Sequence, residues 1–260
     1  MNINEAVEKI SSGDSLKKNE IKEVFLSIMN NKCNDAEIIS FLMTLKTKGE
    51  TVEEIAGAAE VLREMCQKLE LPSDQLVDTC GTGGDGQNTF NISTASAIVA
   101  AAAGVKIAKH GNKSISSKSG SADLLEYSGI NIDLDEEQAK KCFDENGITF
   151  MFAPKYHKAM KSVSTVRKNI KTRTIFNVLG PLSNPANANF QVLGVYDKKL
   201  VLPIAEVIKD LGVKRAMVVH SEEGLDEISC EKDTYVAELD EDKITAVSYT
   251  HLRAHETSKH

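Results

Sequence analysis

The chain contains no tryptophan, and aromatic residues fill only 5% of its 260 positions. Sequence-tolerant nucleic-acid binders stack bases on aromatic side chains, so that function class lacks its usual platform here. Basic residues are also in deficit: 31 Lys and Arg stand against 38 Asp and Glu, a net charge of −7. An acidic chain is repelled in bulk by nucleic acid and by anionic membrane surfaces, which argues against both as partners. The longest mostly apolar run, Ala95 to Ala103, falls far short of the roughly 20 residues that a membrane-spanning helix needs. The first ten residues, MNINEAVEKI, have neither a basic stretch nor an apolar one, and so do not read as a secretory signal. Five cysteines (Cys33, Cys66, Cys80, Cys142 and Cys230) are odd in number, scattered, and without metal-ligand spacing. They read as reduced thiols of a cytoplasmic protein, not as a disulfide framework. What remains is 41% hydrophobic and 27% charged, an ordinary globular balance for one large domain or two small ones.

Two grammars divide the chain. Residues 1–70 read as a small all-helical domain. The apolar spacing of Ile21, Val24, Phe25 and Ile28 fits a 3.6-residue period. Ser15, Asp35 and Thr51 stand where N-caps belong, and Thr51-Val-Glu-Glu54 is a capping box. Leu71-Pro-Ser-Asp74 interrupts the pattern. From there to about residue 250 short apolar runs alternate with helical windows. Strands are expected at Leu76 to Thr79, Val105 to Ala108, Ile148 to Phe152, Phe190 to Tyr196 and Arg215 to His220. Helices are expected at Asn91 to Ala103, Ser121 to Ser128, Lys158 to Asn169 and Leu200 to Leu211, with Gly129 and Gly147 at helix ends. Thr234 to Leu239 and Ile244 to Tyr249 form a hairpin pattern around Asp240-Glu-Asp-Lys243. This alternation predicts an α/β domain with a mostly parallel sheet flanked by helices. The last ten residues, HLRAHETSKH, have no period and read as a non-native or disordered tail, although they hold three of the six histidines.

Four segments carry chemistry. After the strand ending at Val77 comes Asp78-Thr-Cys-Gly-Thr-Gly-Gly-Asp-Gly-Gln-Asn-Thr-Phe-Asn-Ile-Ser-Thr94. Its glycines let consecutive N–H groups form an anion nest, and Asn91, Ser93 and Thr94 stand at a helix N-terminus, where orphan donors and the dipole favour phosphate. It lacks the Gly-Lys-Ser/Thr of a Walker loop and the distal acid of a dinucleotide fold. A tight turn that needs glycine for geometry is the plainer alternative. The second segment, Lys109-His-Gly-Asn-Lys-Ser-Ile-Ser-Ser-Lys-Ser-Gly-Ser-Ala-Asp123, offers donors almost exclusively, which suits a polyanion; a surface loop would look the same. The third is Leu225-Asp226-Glu227, within the carboxylate cluster Glu222, Glu223, Asp226 and Glu227. It could hold a hard cation or form a solvated acidic turn. The fourth is Arg167 in Ser164-Thr-Val-Arg-Lys, a bidentate carboxylate binder by type, beside the basic residues Lys168 and Arg173. Spacing alone does not choose among these three cations. Two stretches free of acid, Gly86 to Ala122 and Asn146 to Tyr196, carry most of this positive charge and suggest a local anion site in an acidic chain.

Taken together, DTCGTGGDGQNTFNIST, KHGNKSISSKSGSADLLE, the Arg167 helix running on to RTIFNVLGPLSNP, and GLDEIS resemble the anthranilate phosphoribosyltransferase family, in family order, over residues 1 to about 248. The resemblance implies a helical domain completed by residues at about 160–185, an α/β domain over 71–250, two Mg²⁺ ions, and a homodimer through the helical part. It implies that phosphoribosyl pyrophosphate is held by Gly81, Gly84, Asp85, Thr89, Asn91, Ile92, Ser93 and Thr94, and by Lys109, His110, Gly111, Asn112, Lys113, Ser114, Ile115, Ser116, Ser117 and Ser121. It further implies that anthranilate meets Gly81, Asn112 and Arg167, and that Ser93, Asp226 and Glu227 hold the metal. No general base is implied. Lys113 stands where the family usually has Arg. The likeness fades near Tyr249, so the family's further sheet and helix are expected to be truncated, leaving apolar faces uncovered and an inactive chain as one outcome. The competing readings are a pyrimidine nucleoside phosphorylase of the same architecture and a non-catalytic nucleic-acid-binding paralogue. CGTGGDG and the Asp226-Glu227 pair oppose the first, and the net charge opposes the second.

Overall fold

The computed structural model describes residues 1–87, 89–114 and 119–249. The chain divides into two compact units, Met1–Gln67 with Tyr156–Ser183, and Lys68–Lys155 with the residues from Asn184 onward.

The first unit is helical. It contains α1 (Ile3–Ser11), α2 (Lys18–Met29), α3 (Asp35–Lys48) and α4 (Val52–Met65). Phe25 is fully buried at its centre, with the Phe41 and Phe176 rings 6.3 and 5.6 Å away. Gly57 lets α4 cross α2 closely, since a Cβ there would stand 2.5 Å from Ile21 Cγ2. The Thr51 capping box forms as expected. The other two caps are displaced. Asn34, not Asp35, caps α3, its Oδ1 accepting the Glu37 N–H at 3.0 Å, and Asp35 takes the first helical position. Ser15 does not cap α2; Lys17 precedes that helix and offers no side-chain cap, and only the reciprocal half of the box forms, the Lys17 N–H donating to Glu20 at 2.7 Å. Glu54 is fully buried and answers three donors: Leu16 N–H, Thr51 N–H and Lys48 Nζ at 2.8, 2.8 and 2.9 Å. Lys48 is the one charged partner among them, and replacing it would leave the buried carboxylate without a counter-charge.

The second unit is built on β1 (Val77–Gly81), α5 (Ile92–Ala102), β2 (Ile107–Gly111), α6 (Ser121–Tyr127), α7 (Glu136–Asn146) and β3 (Ile148–Phe152). After the single turn α8 (Ala153–Tyr156), the chain enters the helical unit as α9 (Ser164–Asn169) and α10 (Phe176–Leu179). It then returns as β4 (Phe190–Gly194), α11 (Val201–Asp210), β5 (Arg215–Ser221), β6 (Thr234–Asp240) and β7 (Lys243–Tyr249). The described strands form one sheet in the order β3-β2-β1-β4-β5-β6-β7. The first five are parallel, and β6 and β7 are antiparallel. The chain steps outward from β1 through β2 to β3, then resumes on the other side at β4. The crevice beyond the carboxyl ends of β1 and β4 is therefore the topological switch point, where ligands of open α/β sheets bind.

Several windows shift. Lys158 to Asn169 is a 3₁₀ turn followed by one short α-helix. Helix α7 has no counterpart among the expected windows, because only Ala139 and Phe143 of its eleven residues are buried, too few for a visible apolar stripe. Gly147 caps it at φ 69°, the left-handed role expected of that glycine.

Candidate active site

β1 carries the chain to Gly81 and into the glycine turn, where Gly83, Gly84 and Gly86 take φ of 64°, 75° and 80°. L-residues with side chains rarely adopt that region, so here the turn itself demands glycine. The turn bends back toward the loop after β5. Gly83 N–H donates to Asp226 Oδ2 at 2.8 Å, and the Gln87 side-chain amide donates to the Glu223 carbonyl at 3.2 Å. At the start of α5 the Ser93 N–H donates to Glu227 Oε1 at 3.2 Å. An oxyanion thus already rests on an orphan donor in the first turn of that helix.

Lys109 completes the cluster from below. It is 2% exposed, and its Nζ donates to the Thr79 carbonyl and to Ser93 Oγ, the latter at 3.4 Å. The Asp78 carboxylate is its opposite charge, and it accepts the His110 N–H at 3.2 Å. Burial pushes the Lys109 ammonium down and the Asp78 carboxyl up, each partly offset by the other. The same burial drives the Cys80 thiol well above its ordinary range, so this cysteine is an inert packing group.

Asp226 is pushed up to about 6, first by burial and then by the charge of Asp85. Glu227 is pushed up to about 7, first by burial and then by Asp226. Ionising both carboxylates is therefore costly, first because they are buried and second because acidic neighbours repel them, a cost that a bound cation relieves. The donor set fits a hard ion: two carboxylates with the Ser93 hydroxyl nearby. Among the described residues no group of three His, Cys, Asp or Glu converges on one ion. A partial oxygen shell of this kind matches Mg²⁺, which takes one or two carboxylates and completes its shell with phosphate and water.

The lysine-rich segment begins differently from expectation. Lys109, His110 and Gly111 belong to β2, not to a loop, and pair with Phe150, Met151 and Phe152. The sheet extends because β3 offers a full-length parallel partner, which overrides the polar look of KHG. Gly111 has no room for more, since a Cβ there would stand 2.7 Å from Phe150 Cε2. The loop proper starts at Asn112, whose Oδ1 accepts the Lys113 N–H at 2.8 Å. Asp123 gathers the two ends of the loop, accepting Ser114 N–H at 2.9 Å and Gly120 N–H at 2.8 Å. Asn91 Nδ2 reaches Ser119 Oγ at 3.3 Å, which ties this loop to the entrance of α5. Lys113 pairs with Glu126 at 2.7 Å and Lys155 with Asp133 at 2.7 Å, so the acid-free stretches draw their counter-charges from outside themselves.

The structure brings the glycine turn, α5, Lys109 and Asp226-Glu227 together at one end of the sheet. Thr89 is exposed beside the turn; Ile92 opens α5, and Ser121 opens α6. Thr94 is buried in the first turn of α5, its Oγ1 without a hydrogen-bond partner among the described residues. Arg167 lies in the helical unit, its guanidinium 5.5 Å from the centre of the Phe176 ring. Ile115, Ser116, Ser117 and Lys118, and the tail 251–260, lie outside the described residues. The acidic cluster splits: Glu222 is exposed, Glu223 binds the Ser229 hydroxyl at 2.6 Å, and only Asp226 and Glu227 turn toward the glycine turn and α5. Gly194, which ends β4, is a further residue of this site; its only signal in the sequence is a glycine inside the apolar run Phe190 to Tyr196.

Two family models match the chain: the helical bundle domain of the glycosyl transferase family at residues 4–66, and the a/b domain of that family at residues 73–255. The anthranilate phosphoribosyltransferase of Marinomonas sp. (strain MWYL1) is 56% identical over 92% of this chain and 69% of its own length. That of Persephonella marina is 53% identical over 95% of this chain and 73% of its own. The crystal structure of the Thermus thermophilus anthranilate phosphoribosyltransferase superposes with a TM-score of 0.87 at 40% identity, covering 94% of this chain and 73% of that one. The Saccharomyces cerevisiae enzyme in complex with PRPP and Mg superposes with a TM-score of 0.86 at 33% identity, covering 94% of this chain and 72% of that one.

Proposed function

This chain belongs to the anthranilate phosphoribosyltransferases of the glycosyl transferase family, and from that premise we propose how its residues carry the reaction. The phosphoribosyl group of 5-phosphoribosyl 1-pyrophosphate passes to the amine of anthranilate in tryptophan biosynthesis, giving N-(5-phosphoribosyl)anthranilate and pyrophosphate. The bond from ribose C1 to the pyrophosphate oxygen breaks, the amine lone pair forms the new C1–N bond, and the nitrogen sheds a proton. An aromatic amine is neutral near pH 7, so no strong base is needed, and the barrier lies in departure of the pyrophosphate. A transition state of oxocarbenium character is stabilised where charge on the leaving group is offset.

The N–H groups of the glycine turn and of the first turn of α5, with Asn91, Ser93 and Thr94, are read as the cradle of the phosphoribosyl pyrophosphate. The loop from Asn112 onward is read as the flap over it. Lys109 supplies fixed positive charge from beneath. Asp226 and Glu227, with Ser93, would hold Mg²⁺, as two ions in this reading; bound there, the metal neutralises phosphate charge. Arg167, Gly81 and Asn112 are assigned to anthranilate on the family resemblance, Arg167 to its carboxylate. Fixing both substrates supplies much of the remaining rate. A homodimer through the helical unit and a cytoplasmic setting go with this reading. Among the described residues no helix is long and apolar enough to cross a membrane.

The observation that carries the reading is the meeting of Gly83 with Asp226 and of Ser93 with Glu227 and Lys109 at the switch point. The test is anthranilate fluorescence, expected to fall when phosphoribosyl pyrophosphate and Mg²⁺ are added together and to hold steady when either is withheld. Steady fluorescence with both present would count against the reading.

A further inference from the structure

β1 and β4 end side by side on one rung of the sheet, where Gly81 stands opposite Gly194. Neither glycine has a positive φ, so neither is there to permit an unusual backbone. Asp226 lies across the rung. A Cβ on Gly194 would stand 1.5 Å from the Asp226 carbonyl oxygen and 2.5 Å from its carbonyl carbon. A Cβ on Gly81 would stand 2.7 Å from Asp226 Oδ2. The two encounters differ in kind. Gly81 faces a side chain, which can rotate; Gly194 faces main chain, which cannot.

The rung itself is not free to yield. Thr82 N–H donates to the Gly194 carbonyl at 2.9 Å, and Thr82 Oγ1 accepts the Tyr196 N–H at 3.0 Å, so the two strand ends are laced together. A methyl group on Gly194 would therefore move the acidic loop rather than the sheet, and restoring ordinary van der Waals separation takes a retreat of about 2 Å. Glu227 is the next residue, held by Ser93 N–H at 3.2 Å, and it would retreat with Asp226.

We propose that the Gly81–Gly194 rung is the seat of Asp226, and that Gly194 is a positioning residue for the cation-holding pair Asp226-Glu227. It touches no substrate in this role; it sets how deeply the acidic loop settles toward the glycine turn. The proposal rests on reading Asp226 as a metal-holding carboxylate, and the experiment separates the two.

The probe is Mn²⁺, titrated into the substrate-free chain and followed by electron paramagnetic resonance, with thermal melts alongside. Gly194→Ala is expected to melt cooperatively, to bind Mn²⁺ at least tenfold more weakly, and to keep anthranilate affinity within twofold. Gly81→Ala is expected to weaken Mn²⁺ binding less, and its effect should vanish in an Asp226→Ala background, because the group it strikes is gone. A cooperatively folded Gly194→Ala with wild-type Mn²⁺ affinity overturns the seat. If Gly194→Ala shows no cooperative melt, the Gly81→Ala and Asp226→Ala cycle decides: a vanishing effect supports the seat, and strictly additive effects overturn it. Asp226→Ala with unchanged Mn²⁺ affinity would sink the metal reading instead.

Discussion

Divalent-cation binding should fall steeply between pH 8 and pH 6, and the size of the fall follows from two carboxylates. Asp226 sits at about 6 and Glu227 at about 7, each raised first by burial and then by a neighbouring negative charge. A cation needs both groups ionised, so its apparent affinity scales with the doubly ionised fraction. Treated as independent, that fraction is about 0.9 at pH 8 and about 0.05 at pH 6, a loss of about 20-fold. The assay is Mn²⁺ binding by electron paramagnetic resonance at constant ionic strength, without the ribosyl donor, whose own phosphates would add their titration. Glu227→Gln removes the upper step and leaves Asp226 alone, so the same pH change should then cost only about twofold, starting from weaker binding. Equal Mn²⁺ affinity at the two pH values, or a Glu227→Gln profile matching that of the parent, would refute the reasoning.

Other perturbations follow from the same geometry. Asp226→Asn keeps an oxygen for Gly83 N–H but removes a charge the fold disfavours. The folded group is raised above its unfolded value, so ionising it costs stability above about pH 6 and nothing below about pH 4. That shift is worth about 3 kcal/mol, so the variant without metal should melt about 6–12 °C higher at pH 8, with no gain at pH 4, by calorimetry. Arg167→Ala should raise the anthranilate KM roughly 10- to 100-fold while leaving that of the ribosyl donor within a few-fold, consistent with loss of a charge-assisted bidentate contact; equal effects in steady-state kinetics would contradict the assignment. Phe25→Ala empties the centre of the helical unit between Phe41 and Phe176 and should cost about 3–5 kcal/mol in urea denaturation.

How much could be read in advance depended on how local each signal was. The Thr51 box, the glycine turn, the α5 entrance and the β6–β7 hairpin are each written within a few consecutive residues, and each was legible. The polar helix α7 was not, since burying Ala139 and Phe143 alone leaves almost no period. Lys109 looks like a loop residue in the sequence, because a strand's polar end cannot be told from a loop until its neighbour β3 is known. Whether Asp226 and Glu227 were a cation site or a solvated turn could not be decided at all from spacing. Their partners Gly83 and Ser93 are 143 and 134 residues away.

The sequence by itself determined the two grammars, most of the element types and the chemical repertoire: amide-rich turn, lysine- and serine-rich segment, carboxylate pair. These are local properties, fixed by φ preferences, side-chain period and capping chemistry within a turn or two of the chain. Only the tertiary structure decided that Gly81 and Gly194 share a rung, that Lys109 is interior, and that the acidic loop leans on the glycine turn. Strand order sets those meetings, and it arises from packing among distant segments, which leaves no trace in the periodicity of any one of them.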